Sequence, residues 1–182
     1  MGSLRRGAMY KALRDATITA ALRERFRIVH VSLQRTHVHL IVEAEHKAAL
    51  ARGMQGFAIS AAKHINSALL DRRGKRRTGT VFPDRYHLRV LKNPTQTRHA
   101  IAYVMNNWRR HREDEGRTWS DDPFASGVFF EGWHERAHEI WAMKPPPTYE
   151  PLIVWRPRTW LLKAGWLRGG PLISFVEVPG RR

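Results

Sequence analysis

Hydrophobic positions along the chain change period several times, and each change marks an element. Between residues 8 and 25, Met9, Leu13, Ala16 and Ala20 recur at helical spacing in a stretch rich in Ala, Leu and Arg, which predicts a helix. The period then drops to two. Val29, Val31 and Leu33 fall on one side and Ile28, His30 and Ser32 on the other, so residues 26–33 read as a strand. Residues 34–36 can turn the chain, and 37–43 alternates again, with Val38, Leu40 and Val42 against His39, Ile41 and Glu43. The two runs are close enough to pair as a hairpin. Over 47–71 the period returns to helical: Leu50, Met54, Phe57, Ala61, Ile65 and Leu69 form one apolar stripe. A basic loop, 72–77, contains Gly74, and residues 80–91 read as extended, with Val81, Phe82, Tyr86, Leu88, Val90 and Leu91. Asn93 as N-cap, Pro94 at the first helical position and Gln96 three residues after the cap start a further helix that runs to residue 112. Helix, strands, helix, strand, helix predicts an α+β fold, a sheet covered by helices.

Beyond residue 112 the character changes. Acidic residues cluster at Asp114, Glu115, Asp121 and Asp122, and Pro145–Pro147 suggest a stiff linker. Trp119, Trp133, Trp141, Trp155, Trp160 and Trp166 all fall here. The chain therefore divides into a core, 1–112, and a Trp-rich C-terminal appendage, 113–182, that packs on it.

Charge narrows the function. Lys and Arg total 32 against 16 acidic residues, a net charge of +16. Such an excess is expected where phosphates are neutralised. No apolar run approaches the ~20 residues that span a bilayer, and the start does not resemble a signal peptide. The absence of cysteine excludes disulfides and thiolate metal sites, so any metal must use His, carboxylate, amide oxygen or water. A cytoplasmic nucleic-acid protein with no membrane partner fits these bounds.

The most informative stretch is Thr36-His37-Val38-His39-Leu40. Side chains at i and i+2 of a strand share a face, roughly 6.6 Å apart along the chain, so two imidazoles can reach one ion. A strand whose solvent face merely carries two histidines would read the same. A second feature lies in the helix after Pro94. Ile101, Val104, Met105 and Trp108 make a core stripe, and Tyr103 lies nearly opposite it, sharing a face with Gln96, His99, Asn107 and Arg110. A phenol can be a nucleophile and an amide oxygen can bind a hard cation. A surface tyrosine lying over another element would also fit. Arg72, Arg73, Lys75, Arg76 and Arg77, with Arg85 and the aromatic Tyr86 nearby, suit phosphate contact and base stacking on single strands, as do Arg109 and Arg110. A solvated loop is the plainer reading of that run. His30, His46, His64, His87, His99, His111, His134 and His138 have no comparable partner in the sequence.

The His37-Val38-His39 strand, the stretch from Gly79 to His87 (GTVFPDRYH) and the later Tyr103-Val104-Met105-Asn106-Asn107 helix resemble, in order, the motifs of the HUH single-tyrosine transposases, the insertion-sequence and REP-associated type. The resemblance spans residues 8 to 112. It implies a ferredoxin-like (RRM-like) antiparallel sheet, a homodimer, and single-stranded or hairpin DNA as partner. His37, His39 and Asn107 would hold Mg²⁺ or Mn²⁺, and Tyr103 would be the catalytic nucleophile, joined to the 5′ phosphate with a 3′ hydroxyl released. Two positions depart from the pattern. Asn107 is followed by Trp108 where many relatives have proline. Relatives also usually begin with a strand before the first helix, whereas Met1 here leads almost directly into helix, which would leave a sheet neighbour unpaired. The alternative expectation is a non-catalytic or domesticated nucleic-acid-binding protein derived from a transposase. A metal-dependent phosphodiesterase and an RNA-binding domain of the same fold are further rivals.

Overall fold

Two helices pack on one face of a β-hairpin and the third covers the other. This arrangement comes from a computed structural model that describes residues 2–70, 74–116, 118–137 and 149–180. Helix α1 spans Gly7–Ala21, strand β1 Phe26–Leu33, strand β2 Val38–Ala44, helix α2 Lys47–Ala68 and helix α3 Pro94–Arg110. Short helical turns follow: Ser126–Phe129, His134–Ala137, Trp160–Lys163 and Gly165–Gly169. The expected α+β architecture, an antiparallel sheet with helices on both faces, is the one observed. None of the helices described is long and apolar enough to cross a membrane. Trp141, His138 and the Pro145–Pro147 linker lie outside the described residues.

The elements form where the residue pattern places them, with shorter ends. Helix α1 stops at Ala21 rather than 25, freeing Arg23 and Arg25 to a turn at the surface. Helix α2 is capped by His46, whose imidazole accepts from the Ala49 amide, and ends at Ala68. The Asn93 carboxamide accepts from the Gln96 amide at 2.9 Å, and Gln96 in turn accepts from the Lys92 amide, so the expected start of α3 forms with reciprocal bonds.

Both faces of the hairpin are buried. Phe26, Ile28, Val31 and Leu33 of β1 join α1 and α2 in one core cluster, with Val38, Leu40 and Val42 of β2 packed against it. Val29 and Ile41 join α3 in a second. The register slips between Ile28 and His30, a bulge that shifts β1 by one residue. The strict alternation expected for β1 therefore breaks: Val29 faces α3 while Val31 and Leu33 face α1 and α2. All eight residues of β1 are buried, because helices cover it on both sides.

The expected strand at 80–91 does not form a ladder. Val81 and Phe82 reach the first core, but Tyr86, Leu88 and Val90 are exposed. Among the described residues the sheet has two strands only. The outer edge of β1 is occupied instead by residues from beyond 112. The Leu33 amide donates to the Phe124 carbonyl and the Val31 amide to the Ser126 hydroxyl, while the Ile28 carbonyl accepts from the Trp155 amide at 2.8 Å. Residues after 112 also enter both cores: Leu152 joins the first, and Phe130, Trp133, Leu162, Trp166, Ile173 and Phe175 the second.

Candidate functional site

The hairpin turn fixes the first half of the site. The Gln34 amide donates to the His37 carbonyl at 2.9 Å, which closes the turn and places His37 just before β2 and His39 inside it. Their side chains emerge on the same side and bend toward each other until the two Nε2 atoms are 3.0 Å apart. The Thr36 hydroxyl lies 3.3 Å from His37 Nδ1, on the far side of that ring. Such a partner orients an imidazole and frees its other nitrogen for a ligand.

Helix α3 supplies the second half. The Tyr103 ring packs edge-on against the His39 ring, centroids 5.0 Å apart. At ~100° per residue, Tyr103, Asn107 and His111 advance along one line of the helix. His111, the C-cap of α3, is close enough for its charge to depress the pKa of both histidines. His111 has no partner in the sequence pattern, but its offset of eight residues from Tyr103, two helical turns, brings it to the same side of α3. Burial lowers the pKa of His39 first, to about 4, and the charges of His37 and His111 push the same way. His37 is lowered by burial and then by His111. Both rings are thus neutral at neutral pH, the form that coordinates metal.

Asn107 is fully buried, and neither its carboxamide oxygen nor its nitrogen has a partner. A buried unsatisfied amide is costly, and Asn107 stands one helical turn after Tyr103, so its carboxamide fits a metal donor. Among the described residues no cluster of three His, Asp or Glu could hold a metal. The donor set would therefore be two imidazoles, an amide oxygen and water, which suits Mn²⁺ and accommodates Mg²⁺.

The tyrosine helix is clamped on its outer side by the C-terminal residues. The Arg98 guanidinium, 7% exposed, donates to both Glu177 oxygens at 2.5 and 2.7 Å and to the Pro171 carbonyl at 3.0 Å. The Asn106 amide donates to the Ser174 carbonyl. Glu135 in turn holds the Ser174 hydroxyl and the Phe175 amide. Gly169 passes so near the first turn of α3 that a Cβ there would lie 2.4 Å from the Pro94 carbonyl oxygen.

The basic residues divide. Arg85 and Arg110 are exposed. Arg77 is engaged with Asn66 and the Thr80 carbonyl, and Arg109 with Asp114 and the Ser120 carbonyl. Lys75 and Arg76 lie at the surface beyond α2, where Arg76 bridges to Leu70. Arg72 and Arg73 lie outside the described residues.

Fold and site together define an α+β protein that presents a close histidine pair beside a phenol on a clamped helix. The family profile described as "Transposase IS200 like" matches residues 3–107, more than half of the chain, and the protein belongs to that family. It is accordingly a transposase in its general role, which entails DNA as partner. Comparison with curated proteins gave no match, and comparison with solved structures gave none either.

Proposed function

We propose that the protein cleaves and rejoins single-stranded DNA through a covalent 5′-phosphotyrosine at Tyr103, with His37, His39 and Asn107 holding Mg²⁺ or Mn²⁺. What supports the reading is one observation: the phenol ring rests on the ring of a histidine whose Nε2 already meets that of a second histidine.

In the proposed step Tyr103 Oη forms a bond to phosphorus as the bond from phosphorus to the 3′ oxygen breaks. The phenol proton passes to water, and the 3′ oxygen takes one up as a hydroxyl. Attack by that hydroxyl reverses the step, and attack by the 3′ hydroxyl of another strand joins the two; either releases tyrosine, so strands are exchanged without a nucleotide cofactor. A bound divalent ion would polarise a phosphoryl oxygen and reduce its repulsion of the nucleophile. The chain's own part is positional. Thr36 orients His37, the turn bond sets His37 relative to His39, and the clamp on α3 keeps Tyr103 beside them, which supplies proximity worth several kcal/mol at most sites of this kind. The pair and the phenol belong to one chain, so this chemistry does not require the homodimer that the resemblance implies. Arg85 and Arg110, with Lys75 and Arg76, are exposed and would supply cations for the strand's phosphates.

The test is denaturing electrophoresis of protein incubated with labelled single-stranded and hairpin DNA and Mn²⁺. A DNA-protein adduct that survives denaturation is expected, lost in Tyr103→Phe and in EDTA, with DNA binding retained by Tyr103→Phe. A binding-only protein would give no adduct under any condition.

A further inference from the structure

A second basic feature lies at the other end of the hairpin. An open groove of about 550 Å³ is bounded by the turn between α1 and β1, the end of β2 and the crossing strap that carries Trp155. Arg23, Arg25, Arg27 and Arg158 line it, against Glu24 and Glu45. We infer that this groove binds the phosphodiester backbone of DNA, with Trp155 offering its indole face to a base or sugar.

The side chains are held rather than free. Arg23 lies across Gly56 of α2, so close that a Cβ there would sit 2.1 Å from its Nη2. Arg27 is 7% exposed and donates to the Glu24 carbonyl. Glu45 is drawn to Arg25 at 3.6 Å, which leaves Arg23, Arg27 and Arg158 against Glu24 alone. The strap is fixed by the Trp155 amide on β1 and by Glu43, a buried carboxylate that accepts from the Arg158 and Thr159 amides. The Trp155 indole N–H donates to the Ala21 carbonyl at 2.9 Å, yet the residue remains 43% exposed. Cations that repel one another, gathered around one concavity with an anchored aromatic, match the chemistry of a nucleic-acid backbone site. On a chain of net charge +16 the same ligand is favoured over a neutral one.

The groove cannot be the His37 and His39 site seen from another side. Glu45 follows His39 by six residues along an extended strand, which places the groove about 20 Å away. That distance corresponds to about six base pairs of duplex rise. A single DNA molecule could therefore occupy both, and the strap from beyond residue 112 would lengthen the footprint. The inference needs DNA binding but no covalent step at Tyr103.

The test uses the full chain carrying Tyr103→Phe, in EDTA, so that binding is read without cleavage. Affinity is measured against salt by fluorescence anisotropy, for a single strand and for a hairpin whose stem exceeds ten base pairs. Arg23→Gln with Arg158→Gln should lower the slope of log affinity on log salt by about 1.4 with single strands or about 1.8 with duplex, two phosphate contacts' worth. The arm that shows the loss identifies which form of DNA lies in the groove. A folded variant with an unchanged slope in both arms overturns the inference. If the variant does not fold, photocrosslinking of the Tyr103→Phe protein to 5-iododeoxyuridine DNA decides: an adduct at Trp155 upholds the site, and its absence overturns it.

Discussion

Removing the Glu177 carboxylate tests whether the C-terminal clamp holds the tyrosine helix. Glu177→Ala would leave the Arg98 guanidinium, 7% exposed, without its counter-charge. Breaking a buried pair by deleting one partner typically costs 3–5 kcal/mol. Two features reduce that here. The Pro171 and Leu172 carbonyls still accept from Arg98, and the Glu177 side chain is itself 27% exposed. A cost of about 2–3 kcal/mol remains, which is roughly 30- to 150-fold in the docking equilibrium of the clamp. The assay is urea unfolding together with amide hydrogen exchange over residues 165–177, the segment that covers the outer side of α3. Exchange there should accelerate by that factor, and adduct formation by Tyr103 should fall with it. Replacing Arg98 by Met in the same chain removes the stranded charge, so the double variant should recover part of the loss. A change below about 0.5 kcal/mol, the size of an exposed pair, would refute the reasoning. So would accelerated exchange with no change in adduct yield.

Three further outcomes are expected. Asn107→Leu removes two unpartnered buried polar atoms, so the metal-free protein should gain about 1–2 kcal/mol while Mn²⁺ affinity, read by calorimetry, falls; a destabilised variant with intact affinity would exclude Asn107 as a ligand. His30 is buried and its pKa is lowered to about 4, so between pH 6.5 and 4 the unfolded chain binds the extra proton; stability is full above that window and falls by about 3 kcal/mol through it, and His30→Gln should flatten the acid limb of a stability-pH curve. Gly53→Ala would put a Cβ 2.1 Å from the Phe26 ring and should cost about 1–3 kcal/mol in thermal unfolding, with an unchanged midpoint excluding the close packing of α2 on β1.

Parts of this molecule were legible because local rules act on neighbouring residues. Asn93, Pro94 and Gln96 specify the start of α3 through their own backbone bonds, and the two-residue period placed His37 and His39 on one side of a strand. The phase of Tyr103 against Ile101 and Trp108 set it apart from the helix's apolar stripe. What the sequence hid is non-local. A bulge at Val29 cannot be seen in a run where Ile28 and Val29 are adjacent apolar residues and either can be buried on either face. Residues 80–91 carry a strand's alternation, but a ladder needs an edge to pair with, and the edge of β1 is filled by Phe124, Ser126 and Trp155 from far along the chain. The spacing set Asn107 on the polar side of α3 with Tyr103, whereas the structure buries it, and Arg77 and Arg109 showed charge without the partners that occupy them.

The Arg98–Glu177 contact joins residues 79 positions apart, and it bears on biosynthesis. During translation the histidine hairpin and the Tyr103 helix emerge well before Glu177 does. Until that carboxylate arrives, Arg98 can meet only the Pro171 and Leu172 carbonyls, and its charge has no counter-charge there. The ion pair on the Tyr103 helix would therefore form only after Glu177 is made, so that products terminated before it would carry His37, His39 and Tyr103 on a helix that lacks this contact.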